Sequence, residues 1–96
     1  MRITAKDLER LVDQLNEITG NPTATYTKDA SGEFHANIGN YHIDGAYGGV
    51  KLVQLSNESG GIIEISKNGF GTKRQLYDFL NAYISGFSIQ QKKLIS

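Results

Sequence analysis

Two helix-start signatures, Thr4 with Asp7 and Thr72 with Gln75, stand near opposite ends of this chain and bracket everything between them. In each pair the hydroxyl can accept from the backbone N–H three residues on, while the later side chain reaches back to the N–H of the first residue. Behind Thr4, Leu8, Leu11, Val12, Leu15 and Ile18 recur at helical spacing opposite Lys6, Glu9, Arg10, Asp13 and Glu17. That spacing predicts an amphipathic helix with one apolar stripe. Ile3 and Leu8 form a hydrophobic staple across the cap, Gly20 supplies a left-handed stop, and Pro22 prevents continuation. Behind Thr72, the residues Leu76, Phe79, Leu80, Tyr83 and Ile84 make a second stripe, which Gly86 is expected to end. Phe87 and Ile89 are expected to dock, and residues 88–96, with Lys92 and Lys93, to form a mobile tail.

Between the helices the apolar period changes to two. Thr23 to Thr27 reads as a strand, Asp29-Ala30-Ser31-Gly32 as a turn, and Glu33 to Ile38 as a second strand with Phe34, Ala36 and Ile38 on one face. At Gly39-Asn40 the parity shifts, because the next apolar pair is Tyr41 and Ile43. A bulge or a two-residue turn would do this; the bulge is preferred, since it leaves one long bent strand to about Asp44. Gly45-Ala46-Tyr47-Gly48-Gly49 connects to Val50–Ser56, the most hydrophobic strand, and Asn57 to Gly61 turns into Ile62–Ser66. No connection is long enough for a parallel crossover. The expected fold class is therefore α+β: helix, about four antiparallel strands in a meander, helix, with both helices on one sheet face and the other face wet or used in a homodimer. Residues 1–87 are expected to form a single domain.

Composition excludes several chemistries. There is no cysteine, which removes disulfides, thiolate metal sites and cysteine nucleophiles. The first residues have no apolar signal core, and no stretch approaches the roughly 18 apolar residues of a membrane span. The expectation is a cytoplasmic protein with no membrane partner. Lys plus Arg equals Asp plus Glu at 10 each, so no long-range field draws in nucleic acid. The basic charge nonetheless collects towards the end, in Lys67, Lys73, Arg74, Lys92 and Lys93.

Few residues suggest chemistry. His35 neighbours Glu33 and His42 neighbours Asp44 on a strand face, an arrangement open to metal binding or acid–base work. Strand parity puts both histidines opposite the apolar residues, so solvated polar pairs are the simpler account. No catalytic residue, metal site or cofactor is expected. The glycine run from Gly45 to Gly49 lacks the strand-to-helix context and Gly-Lys-Ser/Thr ending of a phosphate loop. Tyr47 at its tip is a candidate binding anchor, with Tyr41 and Lys51 on the adjoining strands. Lys73 and Arg74 open the second helix, where the helix dipole prefers acids, so they are candidates for contact with phosphate or an acidic partner.

The order helix, strands, helix, with Gly69-Phe70-Gly71-Thr72-Lys73-Arg74 at the second helix start, resembles double-stranded-RNA-binding domains. It departs from them in an extra strand, a helix start with only two cations, and neutral charge. A closer resemblance rests on Leu11-Val12-Asp13-Gln14-Leu15-Asn16 with Thr19-Gly20-Asn21-Pro22, on Gly39 through Gly49, and on Thr72-Lys73-Arg74-Gln75-Leu76-Tyr77. In these stretches the chain resembles a family of small proteins encoded by tailed bacteriophages and prophages. The resemblance implies expression inside an infected bacterium and brings no activity or catalytic residue with it. The expected function is a non-enzymatic phage accessory protein that binds a host or phage macromolecule, with counter-defence as one such role. The alternative is a nucleic-acid or small-nucleotide binder using the Gly45–Gly49 loop and the Lys73/Arg74 helix start.

Overall fold

The computed structural model describes residues 2–66 and 69–95. It orders them as α1 (Ala5–Thr19), β1 (Tyr26–Lys28), β2 (Phe34–Ala36), β3 (Tyr41–Ala46), β4 (Gly49–Leu55), β5 (Ile62–Glu64) and α2 (Lys73–Ile95). Both capping boxes close. The Asp7 N–H donates to Thr4 Oγ1 at 3.2 Å and the Thr4 N–H donates to the Asp7 carboxylate at 2.9 Å. At α2, the Gln75 N–H donates to Thr72 Oγ1 at 3.1 Å and the Thr72 N–H to Gln75 Oε1 at 2.8 Å. Gly20 ends α1 in the left-handed conformation, as its lack of a Cβ permits.

Strands β3, β4 and β5 form an antiparallel meander with β4 in the middle, and both helices lie on one of its faces. Tyr41, Ile43, Val50 and Leu52 meet Leu8, Val12 and Leu15 of α1 and Leu76, Leu80 and Ile84 of α2. Each fully buried aliphatic side chain among them, such as Leu8, Leu15, Leu52 and Leu80, contributes about 1.5–3 kcal/mol before ordering costs. The opposite face is not wet throughout, contrary to expectation. Val53 and Leu55, whose parity points them away from the helices, are fully buried there.

The strand count also differs: five strands in two sheets, because β1 and β2 pair only with each other. The cause lies at Gly39-Asn40. The Gly39 N–H donates to the Leu55 carbonyl and the Leu55 N–H donates to the Asn40 carbonyl, both at 2.9 Å, the two-against-one pattern of a bulge. The Asn40 N–H also donates to the Asn37 carbonyl at 3.1 Å, closing a turn in which Gly39 has φ 94. Bulge and turn coincide, so the chain pivots and the expected long strand does not form. A side chain at position 39 would also run into that of Asn21. With the β1–β2 hairpin swung out, parity no longer implies core: Phe34 is 68% exposed and Ile38 is exposed too.

Helix α2 does not stop at Gly86 but continues to Ile95, which replaces the expected tail from 88 with helix. Phe79 stacks on Tyr83 at 5.4 Å, Tyr83 meets Phe87 edge-on at 5.1 Å, and Tyr83 meets Tyr41 at 6.3 Å. Only the Tyr83–Phe87 contact spans Gly86, and at about 0.5–1.5 kcal/mol it offsets the roughly 1 kcal/mol cost of a mid-helix glycine. The side chains of Lys92 and Lys93 lie outside the described residues.

Candidate functional site

The β3–β4 hairpin turns on Tyr47 and Gly48, with Ala46 paired to Gly49. Both central residues have positive φ, 53° at Tyr47 and 73° at Gly48, the signature of a type I′ turn that matches the twist of the strands. Glycine and asparagine suit such a position; tyrosine there carries a backbone cost of about 1 kcal/mol. The residue is 97% exposed. The only ring it meets among the described residues is that of Phe70, edge-on at 5.7 Å.

Phe70 is brought there by an extra rung on the sheet. Val50 and Gly71 exchange two backbone hydrogen bonds of 2.9 Å, which lays the segment before α2 along β4 beyond the end of β5. Gly49 permits this approach, because a Cβ on it would lie 3.0 Å from both the Gly71 carbonyl oxygen and the Phe70 Cβ. Under Phe70, the Lys51 Nζ sits 4.4 Å from the ring centroid and 3.2 Å from Glu64 Oε1. Beside the hairpin tip, Ile3, Gly48, Thr72, Lys73 and Arg74 line an open groove of about 530 Å³. Lys73 and Arg74 are exposed, and Arg74 makes an exposed 3.5 Å contact with Asp78 one helical turn on.

The structure thus gathers Tyr47, Lys73 and Arg74 at one end of the molecule, with Lys51 bracing the floor beneath Phe70. Lys51 is half-buried and engaged with Glu64 and Phe70, so it supports this end and is not presented for contact. Tyr41 does not belong to it. Its side chain is in the core at 5% exposure, where burial and a hydrogen bond with Tyr83 push the phenol up to about 12. Nor is the Gly45–Gly49 stretch a phosphate cradle: Gly45 and Gly49 are in strands, and the connection is the two-residue turn. Sequence reading named Phe70 only within its glycine-flanked loop. A lone apolar residue between two glycines, just before a helix cap, was the available signal.

The histidines also differ from expectation. His35 pairs with Asp29 at 2.6 Å, in place of a pair with Glu33. Ligand atoms of Asp29, Glu33 and His35 lie within 4.8 Å of one another, but Asp29 is already committed to the hairpin turn. It accepts from the Ser31 hydroxyl at 2.6 Å, the Ser31 N–H at 2.9 Å and the Glu33 N–H at 3.0 Å. Led by the Ser31 hydroxyl and then His35, these bonds hold the carboxyl down to about 2. His42 is half-buried, not solvated. Its Nδ1 is shut off from solvent with no hydrogen-bond partner among the described residues, and burial lowers its pKa against the opposing pull of Asp44.

No protein-family model, curated protein or solved structure matches the chain. No helix among the described residues is long and apolar enough to cross a membrane.

Proposed function

We propose that the chain is a non-enzymatic binding protein, a small phage accessory protein that acts in the host bacterial cytoplasm and engages a host or phage protein through the Tyr47 end. Tyr47 carries the reading. A fully exposed aromatic is set in a left-handed backbone conformation that asparagine or glycine would adopt more cheaply, so its side chain has a use that folding alone does not supply. Exposed tyrosines ringed by polar groups commonly anchor protein interfaces. Lys73 and Arg74 alongside favour an acidic surface on the partner, and interference with a host defence fits such a role.

The test is capture from lysate of infected bacteria with the immobilised protein, run beside Tyr47→Asn. The expected result is a protein retained by the original chain and lost from the variant. Equal retention by both, or nothing above background, would remove the basis for the reading. A second reading, binding of single-stranded nucleic acid or a nucleotide, draws on the same exposed ring beside two cations, since bases stack on aromatics while phosphates meet Lys and Arg. It predicts oligonucleotide binding that weakens steeply with salt and is lost in Lys73→Glu with Arg74→Glu.

A further inference from the structure

We infer that the free edge of β3 accepts an extended, cationic peptide segment from a partner as an added strand. This surface runs up to the hairpin and shares Lys73 with the tip groove, but it is built on the backbone of β3 and does not use the Tyr47 ring, so the inference goes beyond the reading built on Tyr47.

Hydrogen bonds fix which way the edge faces. Asn40 bonds Leu55 across the sheet, so alternation along β3 turns His42, Asp44 and Ala46 towards β4 and leaves Tyr41, Ile43 and Gly45 pointing outward. At Tyr41 the outward groups are already taken: its N–H donates to Asn16 Oδ1 at 2.8 Å and its carbonyl accepts from Asn16 Nδ2 at 3.0 Å. The Asn16 side chain therefore does at that rung what a neighbouring strand would do. The N–H and C=O groups of Ile43 and Gly45 have no such partner among the described residues. An unpaired row of this kind is a template for strand addition.

The space beside the edge suits a peptide. A groove of about 340 Å³ lies beside its first half, with Leu8, Val12, Ile43 and Val50 as apolar lining and two acids, Glu9 and Asp13, against one cation, Lys73. An added strand would alternate its side chains between this lining and the far face, where Asp44 stands. Asp44 makes no ion pair or hydrogen bond among the described residues, because Lys51 opposite it turns to Glu64. The fitting segment alternates apolar and basic residues.

Charge also argues against a second copy of this chain. Pairing β3 with itself through Ile43 and Gly45 sets Asp44 directly opposite its own counterpart, a like-charge pair. Sliding the register one way meets Asn16 at Tyr41; sliding it the other way meets the turn at Tyr47.

The experiment titrates isotope-labelled protein with an acetylated, amidated hexapeptide of alternating valine and lysine, reading backbone amide signals and their hydrogen exchange. Ile43 and Gly45 should shift and exchange more slowly, and the matching valine–glutamate peptide should bind at least about tenfold more weakly. Asp44→Lys should shrink that preference, since Glu9 and Asp13 remain. Gly45→Pro removes an outward donor at a site where edge strands tolerate proline, so it should abolish binding while amide signals elsewhere keep their positions. Tyr47→Asn should leave the peptide response unchanged. Shifts that spare Ile43 and Gly45, or undiminished binding by Gly45→Pro, would overturn the inference. So would slowed exchange at these two amides that grows with protein concentration alone, since that would mean self-pairing.

Discussion

The two ends of β3 are built on opposite terms. At its start, Tyr41 is sealed in the core, Asn16 meets both of its outward backbone groups, and Asn40 is fully buried with its amide donating to the Pro22 carbonyl at 2.8 Å. At its end, the strand turns on an exposed tyrosine in a costly conformation, beside two cations and an open groove. The first end spends polar residues on order. The second gives up stability to present a side chain, which is the pattern expected where a surface is used for contact.

The strongest way to break this contrast is Asn16→Ala. It strands two buried backbone groups, and a loss of about 3 kcal/mol is expected in denaturant unfolding. A loss within error would mean that water replaces the amide, and that the start of β3 is less closed than described. Next comes Gly49→Ala, where the new methyl forces the Phe70 segment outward, with a cost of about 1–3 kcal/mol and weaker partner capture. Unchanged stability would show that the Gly71 rung yields freely. Tyr47→Asn should act in the other direction, stabilising the chain by roughly 0.5–1 kcal/mol as the turn gains a suited residue. Destabilisation would identify Tyr47 as structural and undercut the proposed interface.

The smallest effect is a pH dependence midway along the strand. Burial holds His42 below its ordinary 6.5, so below that pH the unfolded chain takes up a proton that the folded chain does not. Stability should therefore fall as pH drops through 6.5 and level off below the folded value, and His42→Gln should flatten that slope. Identical slopes for the two proteins would show that His42 is not shielded.

Local chemistry was legible where its partners were close in sequence. Thr4 with Asp7, Thr72 with Gln75, and Gly20 all act within a few residues of themselves, and each behaves as read. Asn16 was not legible. It falls on the apolar stripe of α1, at 0% exposure, and the two bonds to the Tyr41 backbone, 25 positions away, make a polar residue tolerable there. The end of α2 was missed for a related reason, since Gly86 signals a stop locally while Tyr83 and Phe87 continue the helix through their ring contact. At the candidate site, the exposed turn residue Tyr47 and the exposed cations Lys73 and Arg74 were visible by type and context. The burial of Tyr41 and the bracing roles of Lys51 and Phe70 depend on strand pairings that a single sequence does not display.

The contact between α1 and α2 has a consequence for how the chain reaches this state. These helices stand at opposite ends of the sequence, yet Leu8, Val12 and Leu15 share one cluster with Leu76, Leu80 and Ile84. Core closure must wait for the most distant segments to meet, which raises contact order and slows folding. During synthesis α1 can settle on β3 as the meander pairs, but the part of that face under α2 stays uncovered until α2 has left the ribosome. The core residues that α2 covers are therefore the ones exposed longest to aggregation and to chaperones.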